Sequence, residues 1–349
     1  MTHRPLRSFR QRSTGAKMLF GLLPLALFLT VFALRAARPA DQDDDRKSES
    51  RDRDDRGSAG IHKIKHVIII MQENRSFDEY YGTYPGANGI PRKDGHFTVC
   101  VPDPATGDCV KPFHNRQDVN GGGPHGASNA VADVDGGKMD GFIAQAENAQ
   151  KGCLNLSNPA CTNSAMPDVM GYHDGREIPN YWAYAKEFVL QDHMFEPNAS
   201  WSLPEHLFQV SEWSAHCTKH DDPSSCVNAL QNPGNPPDFA PGTKPPIYAW
   251  TDLTYLLHRA GVSWGYFVLE GTEPDCQDDE QEDCLPVKQD AKTPGIWNPL
   301  PFFDTVKKDG ELSNVQTLEN FITEAQHGTL PAFAGSPLRA TSANIRRHG

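Results

Sequence analysis

The stretch HVIIIMQENRSFDEYYGT, residues 66–83, decides the fold class. Residues 64–71 contain a short apolar run, VIIIM, bounded by polar residues, which is typical of a strand buried on both faces in a parallel sheet. A dense polar cluster that includes Glu73 and Asn74 follows this run at once. The stretch therefore predicts a central strand that delivers Glu73 and Asn74 to the carboxyl end of the sheet, where open α/β proteins place their sites.

The rest of the chain alternates between predicted helices and predicted strands. Apolar periodicity and turn residues predict helices at residues 139–152, 181–186, 204–213, 251–261 and 315–328, and strands at residues 188–190, 262–268 and from 330 onward. Glycine-rich NGGGPHG, residues 120–126, is predicted as a loop. Strands that alternate with helices indicate an α/β fold with a mostly parallel sheet.

The overall charge restricts the class of partner. The 349 residues carry a net charge of −12, and this argues against a nucleic-acid binder, which would present a basic face. The length suffices for one large α/β domain or two smaller ones.

The N-terminal residues 1–40 differ from the rest in composition. Basic residues without an acid precede MLFGLLPLALFLTVFAL, and RAARPA follows it, an order typical of an export signal. An uncleaved membrane anchor is the alternative, because the uncharged run is close to the minimum for a span. Residues 41–60 are predicted to be a disordered charged linker. The folded domain is then expected at residues 61–334.

The cysteines also favour export. The eight residues form four close pairs with sequence separations of 9, 8, 9 and 8: Cys100 with Cys109, Cys153 with Cys161, Cys217 with Cys226, and Cys276 with Cys284. This regular spacing predicts four local disulfides, which persist in an oxidising compartment. Metal binding is the alternative, although the chain has no CxxC pair. The protein is therefore expected to be periplasmic or secreted, or anchored by its N-terminus.

Three sets of residues are candidates for chemistry. Glu73 and Asn74 offer hard oxygen ligands for a divalent metal, although Asn and Ser also stabilise plain turns. Ser202 and Glu205 match the S-x-x-E capping box, and a serine at a helix N-terminus also suits a bound phosphate. His125 in the glycine-rich loop could contact a phosphate oxygen or a metal, or lie on the surface. No GxSxG elbow surrounds Ser202, which leaves an acyl-transfer triad poorly supported.

Several motifs in this order resemble one family. HVIIIMQENRSFDEYYGT, GGKMDGF, SWSLPEHL after DHMF, and GVSWGYF are similar to the bacterial phosphoesterase family of non-specific phospholipases C and related acid phosphatases, over residues 64–334. The QENRSFD block is the most specific. The Ser202 segment departs from the family's Gly-Pro-Ser/Thr-x-Pro-Asn-His sequence at Ser200, Trp201 and Glu205.

The resemblance implies a fold, a site and a reaction. The fold would be an alkaline-phosphatase-like three-layer α/β sandwich. Glu73, Asn74 and Ser202 would hold a divalent metal of unspecified identity, and Ser202 would attack a phosphate ester or phospholipid in line to form a phosphoseryl intermediate. His125 and His206 would bind substrate, although Gly126 and Ala127 replace the Asp-Trp that follows the histidine in relatives. The alternative is a non-catalytic exported protein that binds phosphate or phospholipid.

The tail, residues 335–349, has no strand pattern and is rich in basic residues. Plausible codons for this tail, read in a frame shifted by one base, give Trp-Ile-Ala-Pro and Ser-Glu-His-Pro-Pro. The second of these is a sequence segment found in relatives. We therefore expect that a frameshift near Ala334 replaced the original C-terminus, leaving the sheet and the metal site incomplete and the enzyme weak or inactive. A genuine short tail is the alternative, and the coding DNA decides between them.

Overall fold

The computed structural model describes residues 60–73, 75–117, 120, 122–124, 126–151, 167–234, 244–272 and 288–339. The chain divides into two compact units, Met1–His62 and Lys63–Gly349, and every element below belongs to the second. The predicted signal or anchor lies outside the described residues, as does nearly all of the predicted linker. Within the described ranges, no helix has the length and apolar character needed to cross a membrane.

The strands are mostly short outside one main sheet. They are β1 Val67–Glu73, β2 Arg92–Lys93, β3 His96–Phe97, β4 Val101–Pro102, β5 Cys109–Val110, β6 Phe113–His114, β7 Gly171–Tyr172, β8 Ala215–Cys217, β9 Cys226–Asn228, β10 Trp264–Val268, β11 Gly271–Thr272, β12 Lys288–Gln289, β13 Val315–Thr317 and β14 Phe333–Arg339.

The helices agree with the predicted ones to within a few residues wherever both exist. They are α1 Phe77–Tyr81, α2 Ala127–Val134, α3 Phe142–Gln150, α4 Pro179–Glu187, α5 Ser202–Ser211, α6 Leu253–Arg259, α7 Asp304–Lys308 and α8 Leu318–His327. Helix α8 shows why the boundaries were predictable. The Thr317 hydroxyl accepts from the Asn320 amide at its start, and Gly328 takes a left-handed φ of 69° at its end.

The main sheet has the order β1-β14-β10-β13, and all of its pairings are parallel. Strand β14 pairs with β1 from Val67↔Phe333 to Glu73↔Arg339, and with β10 from Trp264↔Phe333. The smaller two-stranded sheets lie in the connections and are antiparallel, except for β6-β7. The predicted α/β class with a mostly parallel central sheet is confirmed.

The position of β1 corrects the prediction of a buried central strand. Strand β1 lies at the edge of the described sheet, and its apolar residues Val67, Ile68, Ile69 and Ile70 are 41–52% exposed. An apolar run shows that a strand can be buried on both faces, but its neighbours decide whether it is. In the described residues, β14 covers one edge of β1 and nothing pairs with the other.

Two further predictions about strands were wrong. Residues 188–190 follow α4 as irregular, exposed backbone rather than as a strand. The strand predicted from residue 330 is present, but β14 continues to Arg339, five residues into the tail that lacks a strand pattern. Backbone pairing with β1 accounts for this extension, because ladder hydrogen bonds do not depend on side-chain pattern.

The main core lies where α5 and the loops around residues 248 and 297 pack against β10. Its fully buried large side chains include Leu203 and Leu207 of α5, Tyr248, and Trp297. Leu203 and Leu207 are spaced by one helical turn and fix the inward face of α5. The core therefore holds the N-terminus of α5 in a defined position beside the sheet.

Two of the four predicted disulfides are present among the described residues. Cys100 is bonded to Cys109, and Cys217 is bonded to Cys226 across the β8–β9 pair. Cys217 is 2% exposed and belongs to the main core.

The other two predicted disulfides have no counterpart among the bonds that the structure describes. One was predicted between Cys153 and Cys161, and the other between Cys276 and Cys284. Cys153, Cys161, Cys276 and Cys284 all lie outside the described residues. These two bonds therefore stay predictions.

Candidate metal and phosphate site

The carboxyl end of β1 meets the N-terminus of α5. The Ser202 hydroxyl donates to the Glu73 carboxylate, with 3.4 Å between Oγ and Oε2, across a sequence separation of 129 residues. Ser202 is buried, with 6% of its surface exposed. Two of the predicted site residues are thus brought together by the fold.

Ser202 does not cap α5 in the way that the sequence predicts. The N-cap residue is Trp201, which is extended and whose side chain makes no capping hydrogen bond. Ser202 is the first helical residue, and its hydroxyl donates to Glu73. A capping box with Ser202 as the N-cap is therefore wrong. Pro204 has no N–H and the Glu205 amide donates to the Trp201 carbonyl, so an anion at this helix end would meet the amides of residues 202 and 203.

His206 lies one turn after Ser202 on the same face of α5. Its Nε2 atom is 2.6 Å from Oε1 of Glu73, and its ring centroid is 4.9 Å from that of Trp297. His206 is 0% exposed, and neither ring nitrogen makes a well-directed hydrogen bond. Ser202 and His206 therefore contact the two oxygens of one carboxylate from the same helix.

Two more carboxyl groups surround this carboxylate. Desolvation, followed by the charges of Glu196 and Glu73, raises the pKa of Glu205 to about 8. Desolvation and the charge of Glu73 also raise the pKa of Glu196. These two carboxyl groups are thus concentrated beside the N-terminus of α5, where their raised pKa values favour the neutral forms, and a bound cation would favour the ionised forms.

The donors of this site fit a divalent metal that prefers oxygen. Oε1 of Glu73 is buried and lacks a well-directed hydrogen bond, and its near neighbour is Nε2 of His206 at 2.6 Å. The Ser202 hydroxyl oxygen lies beside the other carboxylate oxygen. A carboxylate and a hydroxyl are hard ligands of the kind that Mg²⁺, Ca²⁺ and Mn²⁺ bind.

Asn74 and His125, which the sequence also places in this site, lie outside the described residues. Their roles as metal ligand and substrate ligand stay predictions. His206 is described, and its full burial against Trp297 and Glu73 favours positioning of the Glu73 carboxylate over contact with substrate.

The sequence did not reveal a polar network that joins the end of β1 to the glycine-rich loop. Arg75 forms an ion pair with Glu79 at 3.0 Å and donates to the Asn120 carbonyl. Asp168 accepts from the Asn115 side chain and from the Gly122 amide. This network fixes Gly122 near the Glu73 strand, and no spacing rule connects residues so far apart in the chain.

Two other groups among the described residues could hold a metal, and both lie outside the predicted site. They are His114, Asp174 and Glu177, and His258, Asp309 and Glu311. Protein groups already engage them, since Arg176 donates to Asp174 and the Trp264 indole donates to Glu311. Internal hydrogen bonding explains these clusters.

The chain is thus an α/β protein in which a carboxylate at the end of a parallel strand lies opposite a serine at a helix N-terminus, at the edge of the sheet where such folds place their sites. The model of the Phosphoesterase family matches residues 64–336, and the chain belongs to that family.

Curated proteins with similar sequences carry phospholipase names. The chain is 27% identical over 214 residues to phospholipase C A of Mycobacterium tuberculosis, covering 60% of this chain and 38% of that protein. It is 27% identical over 221 residues to the non-hemolytic phospholipase C of Pseudomonas aeruginosa, covering 60% and 28%. The non-hemolytic phospholipase C of Burkholderia pseudomallei is 25% identical over 287 residues, covering 78% and 33%. The chain thus spans well under half the length of these relatives.

Proposed function

We propose that the chain is a metal-dependent phosphoric-ester hydrolase of phospholipase C or acid phosphatase type, with Ser202 as nucleophile. The observation that carries the proposal is the 3.4 Å contact between the Ser202 hydroxyl and Glu73 at the N-terminus of a buried helix. Family membership and the names of the relatives support the same chemistry.

The residues suggest how the reaction would proceed. The backbone amides of Ser202 and Leu203 in the first turn of α5 would hold the phosphoryl oxygens, since Pro204 has no N–H. The Ser202 oxygen would form a bond to phosphorus while the bond to the leaving alkoxide breaks, and water would then hydrolyse the phosphoseryl ester. Glu73, Asn74 and Ser202 would hold a divalent metal, which would lower the hydroxyl pKa and neutralise phosphoryl charge.

A second candidate is a non-catalytic exported protein that binds phosphate or phospholipid. The small donor set favours it, because no group of three His, Cys, Asp or Glu ligands includes Glu73 within the described ranges.

We also propose an exported or membrane-anchored location, which the disulfides Cys100–Cys109 and Cys217–Cys226 support.

Hydrolysis of p-nitrophenyl phosphate and phosphatidylcholine with added Mn²⁺, Ca²⁺ or Zn²⁺ tests the proposal. Ser202→Ala should lower kcat by about 1000-fold or more, because the covalent route is lost. Ser211→Ala is the matched control at the other end of α5, where the hydroxyl donates to the Leu207 carbonyl.

The outcomes separate the two candidates. Metal-independent activity that persists in both Ser202→Ala and Glu73→Gln would refute the site. Absence of hydrolysis, with phosphate binding that is lost in Ser202→Ala and Glu73→Gln, would support the non-catalytic candidate.

A further inference from the structure

The segment between α4 and α5 carries a concentration of exposed apolar side chains. Phe188, Val189, Met194 and Phe195 are 75%, 83%, 76% and 81% exposed, more than any other large apolar side chain described. Tyr184, at the end of α4, is 63% exposed. Single exposed apolar residues are ordinary, but five large ones within twelve residues of chain indicate an interaction site. We refer to residues 184–195 as the docking segment.

The docking segment is held in place at both ends. At its start the Phe188 amide donates to the Tyr184 carbonyl at 2.9 Å and closes α4. Near its end the Asp192 carboxylate accepts from the Asn88 amide at 2.7 Å. These two hydrogen bonds attach the segment to α4 and to the loop that contains residue 88.

The same segment is attached to the candidate site. The Tyr181 hydroxyl of α4 donates to the Gln72 side chain at 2.8 Å, and Gln72 directly precedes Glu73. The docking segment thus follows directly on a helix that contacts the strand carrying the proposed metal ligand.

The charges of the docking segment and of the whole chain indicate which kind of surface would contact this segment. Its Lys186 and Glu187 are exposed and pair with each other at 3.5 Å, and Asp192 adds one negative charge, so the segment is close to neutral. The whole chain carries −12 and would be repelled by an anionic surface. Large apolar side chains with a tyrosine beside them suit the boundary between headgroups and acyl chains of a neutral bilayer.

We propose that the docking segment inserts Phe188, Val189, Met194 and Phe195 into a zwitterionic phospholipid surface and so presents the site to lipid substrate. The inference rests on the proposed function and extends it, because it places the phosphoric ester that is cleaved in a phospholipid bilayer.

Sedimentation with phosphatidylcholine vesicles tests the surface without requiring catalysis. The double variants Phe188→Ser/Val189→Ser and Met194→Ser/Phe195→Ser should each weaken vesicle binding at least about tenfold, because large apolar area stays in water. The control Val227→Ser/Leu256→Ser removes two apolar side chains that are 62% and 56% exposed elsewhere, and should change binding by less than about twofold. Circular dichroism and gel filtration verify that each variant is folded.

Two further measurements separate this inference from the proposed function. Binding should persist in Ser202→Ala and at 1 M salt, since neither the nucleophile nor charge attraction holds the protein to the vesicle. Hydrolysis of soluble p-nitrophenyl phosphate should be unchanged in both docking-segment variants. If hydrolysis fails in every form of the protein, vesicle binding still decides the inference about the surface.

Three results would overturn the proposal. One is wild-type protein that does not bind phosphatidylcholine vesicles, or docking-segment variants that bind as well as wild type. Another is binding confined to phosphatidylglycerol vesicles and abolished by salt. The third is self-association in sedimentation velocity that the same variants abolish without any vesicle binding, which would assign the surface to a second copy of the chain.

Discussion

The Glu73 carboxylate is the residue on which the candidate site depends, and α5 holds it from two sides. Ser202 donates to Oε2, and the His206 ring approaches Oε1 at 2.6 Å. Trp297 packs against that ring and restricts its rotation. We therefore propose that His206 positions this candidate metal ligand, since groups of this kind contribute strongly to metal affinity.

The first prediction concerns His206. His206→Gln should raise the dissociation constant for Mn²⁺ by about 10- to 100-fold, because the Glu73 carboxylate loses a group that orients it. Calorimetric titration measures the constant, and urea unfolding reports any loss of stability separately. His216→Gln, at an exposed histidine, is the matched control. Equal metal affinity in wild type and His206→Gln would show that His206 only fills the core.

The second prediction concerns Glu79, whose pKa desolvation raises to about 7 despite the opposing effect of Arg75. The folded state holds the Glu79 proton more tightly than the unfolded state. The contribution of Glu79 to the free energy of unfolding is therefore fully present below about pH 4.5 and is lost as the pH rises to about 7. Glu79→Gln should remove about 2 kcal/mol of this decline.

Urea unfolding at pH 5 and pH 8 measures the effect of Glu79. Glu319→Gln, at an exposed glutamate on α8, is the control and should keep the wild-type decline. A Glu79→Gln variant whose stability falls with pH as steeply as that of wild type would contradict the assignment.

The sequence predicted part of this site, and the reasons differ between residues. Glu73 was identifiable because it ends an apolar strand, and Ser202 because its segment resembles a family motif. The role of His206 was not predictable from the i, i+4 spacing alone, since that spacing shows which helix face it shares but not which carboxylate it meets. Asp168 and the Gly122 amide meet through the fold, and no local pattern indicates their contact.

At the scale of elements, β1 has a strong strand propensity, but neither its apolar side chains nor both of its edges are covered by other described elements. Its run of Val67 to Ile70 is 41–52% exposed, and one edge of the strand is unpaired within the described residues. An exposed apolar edge strand is a template for pairing with another chain. The element is therefore a site where the protein risks aggregation.

The third prediction follows for β1. Ile68→Lys should lower aggregation of concentrated protein, because a charge on an edge strand opposes pairing with a second strand. Static light scattering during incubation at 37 °C measures it. Ile322→Lys, at a residue that is 50% exposed on α8, adds the same charge away from the strand and should have little effect. Equal suppression by both variants would attribute the effect to net charge alone.

Helices were predicted better than strand environments, for a physical reason. Helix α8 carries its own start and stop signals in Thr317 and Gly328, so its bounds follow from local sequence. The cover of β1 and the irregular backbone at residues 188–190 depend on which distant segments pair with them. Strand pairing is non-local, and neither an apolar run nor β propensity specifies it.

At the scale of the whole molecule, disulfides contribute to stability in two ways. The bonds Cys100–Cys109 and Cys217–Cys226 close loops of equal sequence separation, 9 residues each, and therefore restrict the unfolded chain equally. They differ in the folded state, because Cys217 lies in the core and Cys109 is exposed. The chain thus contains its own control for the effect of burial.

The fourth prediction compares these two bonds. Replacing either pair by serine should cost about 2–3 kcal/mol of unfolding free energy through the loop-closure effect. The Cys217→Ser/Cys226→Ser variant should lose about 1–2 kcal/mol more, because a hydroxyl is then buried in the core. Urea unfolding without reductant measures both variants. Equal losses would show that burial of Cys217 adds nothing beyond loop closure.

The pairing of β1 with β14 has a consequence for biogenesis. The His66 ring bonds to the Pro331 carbonyl across a separation of 265 residues, so β1 gains its described partner only after β14 has been synthesised. Contacts of such high order make folding slow. During synthesis β1 lacks this partner until β14 leaves the ribosome, which gives chaperones access to the strand. A chain that we propose is exported would thereby stay unfolded enough to pass a translocation pore until β14 emerges.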